Sequence, residues 1–231
     1  MRFLAGLFAL TAAVVATPVL GQVIDSARPA PPSPTDKENL WLLDLSTGGR
    51  VTILLRPDVA PKMVERVKLL TRQHFYDGLS FHRVIDGFMA QGGDPKGDGT
   101  GGSQLPDMKA EFNYLPHVRG AVSAARTDAP DTANSQFFIV FQPRLNLDKK
   151  YTVFGRVIDG MQYVDEIHRG EPPADPSRVL HAYVAADNPP PYQPAPSVAS
   201  TLPTLQPTGP KVAAPKLAPT PAAKKAPPRR Q

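Results

Sequence analysis

Between residues 38 and 187 the apolar residues fall into six to eight short runs, and only two stretches keep a helical period. Leu40-Trp41-Leu42-Leu43-Asp44-Leu45 and Val51-Thr52-Ile53-Leu54-Leu55 read as strands, with Ser46-Thr47-Gly48-Gly49 between them as a hairpin turn. Leu79 to Gln91 is strand-like throughout, and Val122 and Ala124 alternate with small neighbours. Gln136 to Phe141, Val153 to Ile158 and Val179 to Val184 are the strand signals of the second half. Pro61 opens one helix, at a position where a missing N–H costs nothing, and Met63, Val64, Val67 and Leu70 share one face. Asp77-Gly78 ends that element. Met161, Val164 and Ile167 line a second, short helix that is over by Gly170. So many short strands and so few helices predict an all-β barrel or sandwich, and periodicity alone does not choose between them.

The ends of the 231-residue chain are built differently. Residues 1–21 hold a single charge, Arg2, and then apolar and small residues to Gly21, the pattern of a signal peptide. Cleavage is expected after Gly21, which predicts export to the periplasm and no stable membrane insertion afterwards. An uncleaved anchor is the competing reading. Residues 22–37 read as a linker and 38–187 as the folded domain. Residues 188–231 carry thirteen prolines and too few large apolar residues to offset the entropy of ordering, which predicts a disordered tail.

That tail has six basic residues and no acidic one. The net charge of +5 is therefore a property of the ends, and residues 22–187 alone stand at −2. The basic balance gives no support for nucleic-acid binding by the folded part. It suits contact of the tail with an anionic surface or partner, or a plain soluble spacer. There is no cysteine, which excludes thiol catalysis and thiolate-bound metal and fits a periplasm better than a small secreted scaffold.

The chemistry concentrates in Ser80-Phe81-His82-Arg83-Val84-Ile85-Asp86-Gly87-Phe88-Met89-Ala90-Gln91-Gly92-Gly93-Asp94. One guanidinium, one amide and two large apolar side chains share a few residues, without a covalent nucleophile. Such a set suits a reaction in which no bond is made or broken. His82 adjoins Arg83 on a strand and so points to the opposite side, where a structural, hydrogen-bonded histidine is expected. The other histidines show no metal-ligand spacing, Asp94 and Asp98 lack the twelve-residue calcium pattern, and no GKS/T follows the glycines of 92–102.

This segment resembles the signature of the cyclophilin-type peptidyl-prolyl isomerases. So do Ala60-Pro61, Phe75-Tyr76-Asp77-Gly78, Glu111-Phe112, Arg119-Gly120, Ala125-Arg126, Ser135-Gln136-Phe137-Phe138-Ile139, Leu147-Asp148 and Val153-Phe154-Gly155-Arg156-Val157, in the family's order. The resemblance implies a closed eight-stranded antiparallel β-barrel capped by two α-helices, no cofactor, and proline-containing polypeptides as substrates of a monomer. It implies Arg83 as the catalytic residue, with Phe88, Met89, Phe138 and Leu147 as the proline pocket. Gln91 and Gln136 match polar substrate contacts, and Ala125 a groove residue with a backbone role. Arg126, Asn146 and Tyr151 fall on the groove rim. Asn146 stands where many relatives have an aromatic residue and Tyr151 where many have histidine, departures that alter the rim rather than the arginine or the pocket floor. A binding module or chaperone for proline-containing segments, with incidental turnover, is the alternative reading.

Overall fold

The computed structural model describes residues 29–194. The expected signal peptide and most of the basic tail lie outside these residues.

Eight strands form one antiparallel sheet: β1 (Leu40–Leu45), β2 (Gly49–Leu55), β3 (Arg83–Ile85), β4 (Met89–Gly92), β5 (Ala121–Ala124), β6 (Phe137–Val140), β7 (Val153–Asp159) and β8 (Val179–Val184). Their order is β3-β4-β6-β5-β7-β2-β1-β8. Helix α1 (Pro61–Arg72) and the short α2 (Met161–Asp165) complete the regular structure, with 3-10 turns at Lys37–Asn39, Leu145–Leu147 and Ala185–Asp187.

The expected closed barrel is corrected to a half-barrel. The three-residue β3 and the six-residue β8 are the edges of the sheet and share no ladder. The chain just ahead of β3 meets the start of β8 instead, through one isolated bridge (Ser80 with Arg178) and hydrogen bonds from Gly78 N to Val179 O and Phe81 N to Ser177 O. Two other expectations shift. Leu79 to Gln91 is not one strand: the chain turns at Asp86–Phe88, with Gly87 at φ +62°, so β3 and β4 form a hairpin. Helix α1 ends at Arg72, where the N–H of Gln73 closes onto the Leu69 and Leu70 carbonyls, ahead of Asp77-Gly78.

Strand alternation sorts the side chains into two apolar layers. Trp41, Leu43 and Leu45 of β1, Val51, Ile53 and Leu55 of β2, Phe137 and Ile139 of β6 and Phe154 of β7 face inward. They pack with Met63, Val64, Val67 and Leu70 of α1 and Val164 near the C-terminal end of α2. Trp41, Tyr76 and Phe137 meet edge to face, with ring centroids 5.0–5.9 Å apart. The opposite face of β4, β5, β6 and β7 carries a second apolar cluster of Met89, Ala121, Ala125, Phe138, Val140 and Val153. This outer layer is itself covered, by Phe88, Leu115, Leu147 and Tyr151.

The chain beyond residue 187 still touches the sheet. The Tyr192 hydroxyl donates to Leu45 O at 3.1 Å, and Arg50 Nη2 donates to Pro190 O at 2.8 Å. Residues 190 and 192, beyond the boundary expected at 187, thus keep hydrogen bonds to the sheet.

Candidate active site

The outer face of the sheet assembles the groove row by row. Arg83 of β3 pairs in register with Gln91 of β4, Gln91 with Phe138 of β6, and Phe138 with Ser123 of β5. Neighbouring strands lie about 4.8 Å apart, so one ladder row carries guanidinium, amide and ring across roughly 10 Å. The next row brings Ile85 beside Met89 and Met89 beside Val140. Phe88, Leu147 and Tyr151 pack onto this cluster from the loops.

Above the row lies a cavity of about 370 Å³ lined by Arg83, Phe88, Met89, Gln91, Ala125, Arg126, Phe138, Asn146, Leu147 and Tyr151. Nine of the ten lie within segments 83–91, 125–126 and 146–151. Every site residue expected from sequence except Gln136 is in this set. Gln136 lines an adjoining polar cavity of about 610 Å³, whose wall it shares with Gln91, Ala125 and Arg126.

The two glutamines are joined. Gln91 Nε2 donates to Gln136 Oε1 at 2.9 Å, while Gln136 Nε2 donates to the carbonyls of Gly99 and Gly101 at 3.0 and 2.8 Å. Both amide hydrogens of Gln136 are thus committed to the glycine loop. That loop is folded by Asp94, whose buried carboxylate accepts from the backbone N–H of Lys96, Asp98 and Gly99. Asp94 is a staple for its own loop.

Beneath Phe138 sits His117, which sequence reasoning left without a role. It is fully buried, and its ring stacks on Phe138 with centroids 6.1 Å apart and planes 15° from parallel. His117 Nδ1 lies 2.8 Å from Asp148 Oδ1 and Nε2 3.2 Å from Ser123 Oγ. Asp148 follows Leu147 directly, so this histidine ties the pocket floor to the wall loop. Burial pushes the His117 pKa down, against the opposing pull of Asp148, and favours the neutral ring. Tyr151 meets Phe138 edge to face at 5.8 Å. The Arg126 guanidinium covers the Tyr151 ring at 4.4 Å and donates to the carbonyls of Thr127, Asp128 and Lys150. The rim at this point is a cation–aromatic pair that bridges two loops.

His82 lies behind Arg83, buried and facing away from the groove. The expectation of a hydrogen-bonded ring is corrected: neither ring nitrogen has a hydrogen-bond partner among the described residues. Burial lowers its pKa. The Nε–H of Arg83 donates to Glu171 Oε2 at 2.8 Å, a partner supplied by a loop 88 residues away. No local pattern in the sequence points to Glu171.

The chain is similar to known proteins in both sequence and fold. The profile of the family described as "Cyclophilin type peptidyl-prolyl cis-trans isomerase/CLD" matches residues 42–184. A "Probable peptidyl-prolyl cis-trans isomerase" of Brucella suis biovar 1 is 45% identical over 171 residues, covering 67% of this chain and 87% of that protein. Peptidyl-prolyl cis-trans isomerase B of Bacillus subtilis is 42% identical over 129 residues, 55% of this chain and 89% of that one. The crystal structure of a cyclophilin from Hirschia baltica matches with a TM-score of 0.62 and 28% identity, over 67% of this chain and 77% of that one. A cyclophilin-type isomerase of Cryptosporidium parvum, crystallised in the presence of the dipeptide Ala-Pro, matches with a TM-score of 0.59 and 27% identity, over 63% of this chain and 98% of that one. The chain belongs to the cyclophilin-type peptidyl-prolyl cis-trans isomerase family.

Proposed function

We propose that the groove on the outer face is where this isomerase turns X-Pro bonds, with Arg83 as the catalytic residue and Phe88, Met89, Phe138 and Leu147 as the proline pocket. The observation that carries this is the ladder row Arg83–Gln91–Phe138, which sets a permanent cation about two strand spacings from an aromatic floor.

Resonance across the peptide C–N bond sets a barrier of roughly 18–20 kcal/mol. Twisting the bond localises the lone pair on the prolyl nitrogen, so a donor aimed there bonds more strongly in the transition state than in either ground state. A guanidinium serves well, because it stays protonated and offers its donors in a rigid fork. The apolar pocket holds the pyrrolidine ring still while the preceding carbonyl swings. Gln91, braced by Gln136, presents its remaining amide atoms toward the substrate backbone. Ala125 gives its N–H to Gln136 O, which leaves its carbonyl as the group for the substrate chain. The Ala-Pro dipeptide with the Cryptosporidium relative supports proline-containing polypeptides as the substrates.

The test is a protease-uncoupled exchange assay on a short X-Pro peptide, comparing wild type with Arg83→Ala. A hydrogen bond to a charged group is worth about 1.5–3 kcal/mol, so kcat/KM should fall about 10- to 150-fold. Equal rates would remove Arg83 from the mechanism. We also propose that the protein works after export, on the strength of residues 1–21. Terminal sequencing of the mature protein from a periplasmic fraction should begin at Gln22, and a start at Met1 would overturn this.

A further inference from the structure

We infer that Glu171 is a positioning residue for Arg83, holding the Nε edge of the guanidinium so that its two Nη groups are presented to the groove. This rests on the assignment of Arg83 as the catalytic residue.

Arg83 Nε donates to Glu171 Oε2 at 2.8 Å, and among the described residues this is its one side-chain hydrogen bond. Its ladder neighbour Gln91 is turned to Gln136. The pair is no stability device: the two side chains are 43% and 51% exposed, and exposed pairs add little. What distinguishes it is how the carboxylate is delivered. Gly170 exchanges two backbone hydrogen bonds with Val84, the residue after Arg83: Val84 N to Gly170 O at 2.7 Å and Gly170 N to Val84 O at 2.9 Å. Glu171 therefore leaves an anchor one residue from the arginine it contacts.

The loop is also tightly folded. Gly170 stands at φ +146°, and a Cβ there would lie 2.5 Å from Pro173 Cα. Pro172 and Pro173 follow, each with a fixed φ. A short, stiff loop thus fixes one carboxylate against one edge of a long, otherwise mobile side chain.

Two opposing effects follow from that carboxylate. Its charge weakens the cation's field at the prolyl nitrogen, but at this exposure solvent screens much of that. Its geometry spares the arginine the entropy of finding its orientation in the transition state, and solvent does not screen geometry. The second effect wins, so losing the acceptor slows turnover, whereas losing only the charge does not.

A double-mutant cycle tests this in the full chain, with the same exchange assay and each variant's fold checked by circular dichroism. Glu171→Ala should lower kcat/KM about 3- to 10-fold, mainly through kcat, the cost of ordering one long side chain. Glu171→Gln keeps an acceptor and should stay within about 2-fold of wild type. In the Arg83→Ala background, Glu171→Ala should cost nothing further. Exchange of the Arg83 Nε proton, followed by NMR, should quicken in Glu171→Ala and not in Glu171→Gln. If Arg83→Ala is slow while Glu171→Ala matches wild type, or Glu171→Ala costs the same in both backgrounds, the positioning role is overturned and the arginine's role stands. If Arg83→Ala itself retains full activity, it is the catalytic assignment that fails.

Discussion

Phe137 and Phe138 are consecutive on β6 and face opposite layers, so replacing each with leucine should separate folding from catalysis. Phe137 has no exposed surface and meets Trp41, Tyr76 and Phe81 edge to face at 5.0, 5.9 and 6.2 Å. At about 0.5–1.5 kcal/mol per aromatic contact, Phe137→Leu should cost about 2–4 kcal/mol. For a domain of this size that lowers Tm by about 4–16 °C. Phe138 keeps 5% exposure, toward the groove, and has two ring partners, His117 and Tyr151. Phe138→Leu should cost about 1–3 kcal/mol of stability by the same reckoning. On the proposed reading Phe138 floors the proline pocket, so the substitution's larger effect should be on turnover. A misfitted apolar contact of this kind is worth about 1–3 kcal/mol, so kcat/KM should fall about 10- to 200-fold. Phe137→Leu, measured well below its melting temperature, should stay within about 2-fold of wild type. The assay is isomer exchange on an X-Pro peptide beside a thermal scan of the same samples. Wild-type turnover in folded Phe138→Leu, or equal losses in the two variants, would refute the division of β6 into a core face and a substrate face.

Stability should depend on pH through His82 and His117, both buried, with pKa values pushed down chiefly by that burial. Above about pH 6.5 these rings are neutral in folded and unfolded chains alike; below it the unfolded chain takes up protons that the native state refuses. The unfolding free energy from urea titrations should therefore be flat between about pH 7 and 9 and decline below 6.5, at a limit of about 1.4 kcal/mol per pH unit for each ring, and a flat profile down to pH 5 would contradict the burial argument. Truncation should locate the true end of the domain. A chain ending at 194 should keep the melting temperature and turnover of the whole protein. One ending at 187 loses the Tyr192–Leu45 and Arg50–Pro190 hydrogen bonds and should melt about 2–8 °C lower by differential scanning calorimetry. Identical transitions for the two truncations would mean that residues 188–194 add nothing.

Much of the candidate site is legible in the sequence because the chemistry is local in the chain. Arg83, Phe88, Met89 and Gln91 fall within nine residues, and strand alternation alone tells Phe137 from Phe138 once one partner is known to be core. The distance between Arg83 and Gln91 is another matter. On one continuous strand they share a face but stand about 26 Å apart; the hairpin at Gly87 folds them into direct register. The cue is present as Asp86-Gly87, a dipeptide that favours tight turns, but the apolar run on either side masks it. His117 and Glu171 are harder for a physical reason. Their partners Asp148 and Arg83 are brought to them by the topology across 31 and 88 residues, and no spacing rule spans such gaps. The unclosed sheet was hidden too, since strand counts do not record whether two edge segments pair along a ladder or touch at one bridge.

Arg83, Gln91 and Phe138 of the groove are each held from behind by a second side chain, and the proposed reaction gives a reason. In bond rotation nothing is transferred, so the enzyme gains only by favouring the twisted geometry over both planar ones. A donor or a floor that followed the substrate as it turned would bind all three forms alike and leave the barrier in place. On the proposed mechanism, bracing from three sides meets that demand. Gln136, tied to Gly99 and Gly101, fixes Gln91. His117, tied to Asp148 and Ser123, backs the Phe138 ring and the Leu147 turn. Glu171, on its anchored loop, holds one edge of Arg83. By the same logic, loosening any one brace should lower kcat more than it raises KM, since ground-state contacts tolerate a few tenths of an ångström that a twisted amide does not. Variants at His117, Gln136 and Glu171 that instead raised KM with kcat unchanged would show that the braces serve substrate binding and not the barrier.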